Sequence, residues 1–321
     1  MTDSGPVIGW LLRSDPSIRW QVLRDLLDVP ESRWMAERAR VATEGWGARL
    51  LSHEDADGQW AGGAFVPRDF DVREWQDVGQ PWTATAFSLS QLREFGLDPS
   101  SDQARRAVEL IGVNSRWDHA GEPYWEGEVE ECINGRTVAD GAYFGVDVSP
   151  IAGRLVGERL DDGGWNCERA NGSVRSSFAT TINVLEGLLE YERATGGTPG
   201  SRQARRSGEE YLLERSLFRR LSTGEPADED FLSFLHPSRW RYDVLRALDY
   251  FRSAATLTGA APDPRLAEAV GQVRARRQED GTWLLDRSLP GRVWFDVNDG
   301  VGKPSRWVTL RAMRVLRWWH Q

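Results

Sequence analysis

The sequence predicts an all-α fold, an (α/α)6 toroid of six inner and about six outer helices, built as a single domain over residues 1–321. Three observations predict it. The turn D-G-x-W occurs three times, ending at Trp60, Trp165 and Trp283, with "GEPYW" at Trp125 as a looser fourth copy. Each is followed by a loop and then by apolar residues three and four apart, the mark of a helix with one buried face. A second short motif, P-S-(x)-R-W, opens three of these stretches, at Pro16–Trp20, Pro237–Trp240 and Pro304–Trp307.

In chain order the expected inner helices are "WQVLRDLLD" from Trp20, "TATAFSLSQL" after Trp82, "VSPIAGRL" from Val148, "FATTINVLEGLL" from Phe178, "WRYDVLRALDYF" from Trp240 and "WVTLRAMRVLRWW" from Trp307. Between them lie amphipathic candidates for outer helices: "SRWMAERARVATEGWGARLL", "SSDQARRAVELIGV", "SRQARRSGEEYLLERSLF" and "DPRLAEAVGQVRARR". The third interval is short, and its outer helix, expected near Val156, is obscure. An open solenoid needs polar caps at its ends, whereas the last repeat finishes in "VLRWW", so a closed ring is the expectation.

Serine after proline is a helix-start signal, which makes Ser17, Ser238 and Ser305 the expected N-caps. Arg19, Arg239 and Arg306 then face the positive end of a helix dipole, an arrangement that a carboxylate from a neighbouring loop or an anionic ligand would offset.

Composition narrows the function classes. Forty-nine acidic against forty basic residues give a net charge of −9, which argues against nucleic acid or an anionic membrane surface as partner. Lys303 is the only lysine, and its surroundings lack the Walker spacing. The two cysteines, Cys132 and Cys167, cannot form a disulfide framework, and no run of 18 apolar residues appears. A cytoplasmic protein without an integral membrane segment, cofactor, metal or obligatory protein partner is expected. Sixteen tryptophans exceed what packing alone asks for, and some should line a ligand site.

The loops between each D-G-x-W tryptophan and the next inner helix should share one rim and carry the function. They hold Asp69, Asp71, Glu74 and Asp77, then Glu126, Glu128, Glu130, Glu131 and Asp140, and finally Asp296, Asp299 and Lys303; His236 precedes an inner helix. If "WEGEVEEC" is extended, Glu126, Glu128 and Glu130 point one way, as a cation or polyol site would need.

The D-G-x-W repeat at this spacing resembles the QW repeat of the squalene–hopene cyclase and protein prenyltransferase superfamily, with "RRQEDGTW" at Arg276–Trp283 the best match and "DGGWNCERANGSVRSSFATTINVLEGLLEY" the next. The resemblance implies the toroid and, less specifically, a terpene-cyclase-like activity. The Asp-x-Asp-Asp acid of hopene cyclases is missing; "FGVDVSPIAGRL" offers only Asp147, and a shift of one residue makes "DVSP" similar to the Asp-x-Thr-Ala acid of oxidosqualene cyclases. Asp147 also fits plain helix-start polarity beside Ser149 and Pro150. The zinc-binding Asp-x-Cys pair of protein prenyltransferases is replaced by Ser177 and Ala179, which leaves only an irregular zinc set of His236, Cys132 and Cys167 to consider.

The leading expectation is an enzyme that takes an isoprenoid or other apolar small molecule into a central cavity, with acid-initiated cyclisation as the chemistry to look for. Asp147 or Asp140 would act as acid, with Trp82, Tyr143, Trp240, Trp307, Arg239, Arg306, His236 and Glu128 binding substrate. The alternatives are a carbohydrate-active (α/α)6 enzyme with paired rim carboxylates, and a non-catalytic toroid that binds a small molecule or peptide.

Overall fold

The computed structural model describes residues 5–320. The protein is all-α, in keeping with an α/α toroid, and has no strand among the described residues, only isolated bridges. In chain order the helices are α1 (Gly5–Leu12), α2 (Pro16–Asp25), α3 (Glu31–Ala39), α4 (Gly45–Leu51), α5 (Trp75–Val78), α6 (Thr85–Phe95), α7 (Asp102–Asn114), α8 (Glu131–Tyr143), α9 (Ser149–Gly157), α10 (Phe178–Thr195), α11 (Pro199–Leu213), α12 (Val244–Thr258), α13 (Ala267–Ala275) and α14 (Arg306–Trp319). No helix of the described residues is long and apolar enough to cross a membrane. The chain forms two compact units: Met1–Gly47, Leu212–Ser288 and Asp296–Gln321 in the first, Ala48–Tyr211 and Leu289–Phe295 in the second.

In the second unit α6, α8 and α10 are the inner helices. The closest pair is α8 with α10, and glycine makes the approach possible: a Cβ on Gly135 would stand 2.5 Å from the Asn183 carbonyl oxygen, and one on Gly187 would collide with the Gly135 carbonyl. This corrects the expected third inner helix. The inner position belongs to α8, and "VSPIAGRL" is its outer partner α9. An inner helix is enclosed on most sides, so α8 buries Asn134, Thr137 and Asp140 alongside two glycines and shows little apolar periodicity, whereas α9 has the one-sided pattern of a surface helix.

In the first unit α2, α12 and α14 face one another through charge. Arg314 donates to Asp249 Oδ1 (2.7 Å), to Gln21 Oε1 (2.9 Å) and to Asp25 Oδ2 (3.3 Å), while Arg252 donates to Asp249 at 2.9 Å. Burial alone would raise the carboxyls of Asp249 and Asp25. The surrounding guanidinium groups outweigh it and hold both below the ordinary range.

The D-G-x-W turns are one structural device repeated. Trp60, Trp165 and Trp283 are fully buried, and each indole Nε1 donates to the carbonyl of an outer-helix residue ten positions earlier, Leu50 (2.9 Å), Leu155 (2.7 Å) and Val273 (2.7 Å). Each backbone N–H donates in turn to a threonine hydroxyl at the start of the next inner helix: Thr85 (3.1 Å), Thr181 (3.1 Å) and Thr309 (3.0 Å). In α8 the equivalent fastening comes from buried Asn134, whose amide accepts from Glu128 N (2.7 Å) and donates to Glu128 O (2.6 Å).

Of the three expected N-caps only Ser305 is one, accepting from Val308 N. Asp15 caps α2 instead, with Pro16 at the first helical position, and its second oxygen accepts from Trp46 N at 2.7 Å. Ser238 starts no helix. Arg239 lies in the left-handed region (φ 51°), where a helix cannot propagate, so α12 begins at Val244 with Asp243 as its cap. Arg306 finds a loop carboxylate, Asp299 at 3.5 Å, whereas Arg19 is paired with Glu37 of helix α3 at 2.6 Å rather than with a loop residue.

Candidate functional site

The second unit carries a cleft of about 880 Å³ beside the start of α6. The turn before Trp60 supplies Asp55 and Asp57, the loop after it supplies Arg68 and Asp69, and the segment Arg292–Trp294 supplies a further wall. That segment is held by its backbone. Trp82 N donates to Arg292 O (2.8 Å), the Trp82 indole donates to Pro290 O (2.9 Å), and a Cβ on Gly291 would collide with the Gln80 carbonyl. Trp294 is fixed twice, by a hydrogen bond to Ser88 Oγ (3.1 Å) and by the His53 ring stacked on it at 4.3 Å and 12°. Behind the wall Trp82, Phe87, Phe65 and Trp75 form a continuous aromatic contact.

The charges in the cleft are unequally committed. Arg292 binds Asp69 through two nitrogens (2.7 and 2.9 Å), which holds the Asp69 carboxyl below its usual range. Asp55 accepts from Gly62 N (3.0 Å), and Asp57 accepts from Gln59 N (3.1 Å) and Nε2 (2.9 Å). The exposed Arg68 has no carboxylate partner among the described residues. Its guanidinium reaches back to Gly62, where an added Cβ would meet it at 3.0 Å.

The structure places the residues singled out from sequence in several environments. Asp147 is exposed just ahead of the outer helix α9 and accepts from Ser149 N (3.0 Å); hydrogen bonding with the Ser149 side chain and backbone lowers its carboxyl. Asp140 is not in a rim loop but near the C-terminal end of α8, 1% exposed, accepting from Ser90 Oγ (2.5 Å) and Arg93 Nε (2.7 Å). Burial pushes the Asp140 carboxyl up, yet both oxygens are taken and Asp140 with Glu190 holds the facing Arg93 charged, so the two form an ion pair. Tyr143 donates to Leu97 O (2.8 Å) at the same end.

In the first unit His236 is buried and stacks on Trp307 at 4.5 Å and 13°, and Trp46 stacks on the same indole at 6.2 Å. Arg306 lies over the Trp10 ring (4.6 Å), Arg239 is buried, and Trp240 carries Arg241 over its face at 4.2 Å. Trp82 alone of the expected binding residues adjoins the cleft.

Glu128 belongs to another cluster of the second unit. Its carboxylate accepts from Glu130 N (2.7 Å), and Glu130 in turn accepts from the Cys132 thiol at 3.3 Å. Cys132 and Cys167 come together here with Glu130, while His236 belongs to the first unit. A hydrogen bond from Cys132 lowers the Cys167 thiol to about 7, and the same bond, with burial, raises Cys132.

Sequence reasoning missed Arg68 and Trp294. Arg68 sits among acidic neighbours and reads as a solvated charge. Trp294 comes to the cleft from a segment whose anchor, Pro290, is 208 residues from Trp82, a pairing that no local pattern reveals.

No family description matches the chain, and no curated protein matches it. Among solved structures it is similar to a protein from Actinoplanes, at 16% identity over 96% of this chain and 91% of that one, with a TM-score of 0.45. It is also similar to the type II terpene cyclase MstE from Scytonema, in its apo form, at 14% identity over 89% and 98% of the two chains, with a TM-score of 0.39. At that level neither likeness says what this chain binds or does.

Proposed function

We propose that the protein is terpene-cyclase-like in binding a largely apolar small molecule with an anionic end, an isoprenoid diphosphate in chemical class, in the cleft between Arg68 and Trp294. The observation that carries this reading is the contrast between the two cleft arginines: Arg292 is neutralised by Asp69, and Arg68 is left for a ligand. Ala56, Ala61, Val293 and Trp294 supply an apolar strip beside it, and a cavity of about 880 Å³ falls in the range of small-molecule sites. Neither Asp140 nor Asp147 lines this cleft, so the proposal is one of binding, with no acid step assigned to either.

A carbohydrate reading is favoured by one feature, the fixed carboxylates of Asp55 and Asp57 on the same cleft as an indole face. Calorimetric titration with farnesyl and geranylgeranyl diphosphate, and with neutral oligosaccharides, separates the two. Isoprenoid diphosphate should bind, and Arg68→Ala should weaken it about 10- to 100-fold, the worth of a hydrogen bond to a charged group. Oligosaccharide binding alone, or diphosphate affinity unchanged in Arg68→Ala, overturns the proposal.

A further inference from the structure

We infer that Cys132, Cys167 and Glu130 form a binding site for a thiophilic divalent metal ion, zinc in chemical class, at the N-terminal end of α8. The site is separate from the cleft and independent of the function proposed for it. The two sulfurs and a carboxylate oxygen lie within 4.8 Å of one another, and Cys132 Sγ is 3.3 Å from Glu130 Oε2. Zinc–sulfur bonds of about 2.3 Å imply tetrahedral edges of about 3.8 Å, so side-chain adjustments of under an ångström complete the coordination.

The ligands are set in place by backbone structure. Cys132 lies in the first turn of α8, which fixes its sulfur beside Glu130. Glu130 is the N-cap residue of that helix, and its own N–H is tied to Glu128. Cys167 opens a short 3-10 turn, with its N–H donated to Thr180 Oγ1 (3.2 Å) at the start of α10. All three are half-buried, which leaves a fourth position for water or a ligand. Glu128 and Arg169 extend from this region into a neighbouring cavity of about 290 Å³.

The surrounding charge favours a cation. Glu128, Glu130, Glu131 and Glu168 gather here, and Arg169 is engaged by Glu131 and Glu158. Without a cation such a field opposes thiolate formation at Cys132. A bound divalent ion reverses that, because metal binding releases the thiol protons. Two sulfur ligands select zinc-like ions over calcium and magnesium, which take oxygen.

The test is titration of the reduced, chelator-treated full chain with Zn(II) in competition with a chromogenic chelator, and with Co(II) followed by thiolate-to-cobalt charge transfer in the near ultraviolet. One equivalent should bind, with the charge-transfer band present; Glu130→Gln should weaken binding at least tenfold, and Cys132→Ser/Cys167→Ser should abolish the band. Circular dichroism checks that the variants are folded, and the half-exposed Cys167→Ser alone serves if the double variant is not. Equal zinc uptake by wild type and the serine variants, displacement by equimolar Ca(II), or no uptake by the reduced protein overturns the inference.

Discussion

Trp283 and Thr309 are joined in both directions: the tryptophan N–H donates to the threonine hydroxyl at 3.0 Å, and that hydroxyl points back to the tryptophan carbonyl at 3.4 Å. The same two contacts join Trp165 to Thr181, at 3.1 and 3.4 Å. Replacing either threonine by valine preserves shape and leaves a buried N–H without an acceptor. We expect Thr181→Val and Thr309→Val each to lose about 1–3 kcal/mol, measured by urea denaturation. Unchanged midpoints would show that water replaces the hydroxyl.

Gly187→Ala sets two effects against each other. Alanine is the better helix former by about 1 kcal/mol. The added Cβ, however, meets the backbone carbonyl of Gly135, which cannot rotate away as a side chain can, and overpacking of that kind costs about 1–3 kcal/mol. The expected outcome is net destabilisation of up to about 2 kcal/mol in urea. A stabilised Gly187→Ala protein would mean that α8 and α10 separate easily.

Asp249→Asn should cost about 3 kcal/mol, because Arg314 and Arg252 would be left with a neutral partner in a mostly buried place. The pH dependence has a definite sign. The folded-state carboxyl is held below its unfolded value of about 4, so this contribution is complete above that value and fades as pH falls below it. Acid titration followed by circular dichroism should show a shallower acid limb for Asp249→Asn than for wild type. Parallel limbs would remove Asp249 from the linkage.

The two aspartates first singled out as acids should behave differently. Asp140→Ala strands the largely enclosed Arg93 and should cost about 3 kcal/mol by urea denaturation. Asp147→Asn, at an exposed position ahead of α9, should leave binding in the cleft unchanged by calorimetry. A loss of cleft binding with Asp147→Asn in a folded protein would return that residue to the site.

Much of the helical framework was legible because the D-G-x-W turn and one-sided apolar periodicity are local signals. They located α2, α6, α10, α12 and α14 to within a few residues. They failed at α8, where enclosure replaces the apolar stripe with Gly135, Asn134 and Asp140, and at the start of α12, where the left-handed Arg239 postpones the helix. The cleft was less legible than the frame. Its walls come from segments far apart in sequence, and whether an arginine is spent, as Arg292 is on Asp69, depends on a neighbour that spacing does not predict.

The tryptophan–threonine fastening also separates what is conserved in shape from what can change in length. The bonded pairs Trp60–Thr85, Trp165–Thr181 and Trp283–Thr309 are 25, 16 and 26 residues apart, yet the N–H to hydroxyl distance stays at 3.0–3.1 Å. The intervening chain is therefore a module whose ends are welded to the scaffold whatever its contents. Insertions or grafted sequences there would alter recognition while leaving the helical frame intact, a route by which one architecture can diversify its ligands.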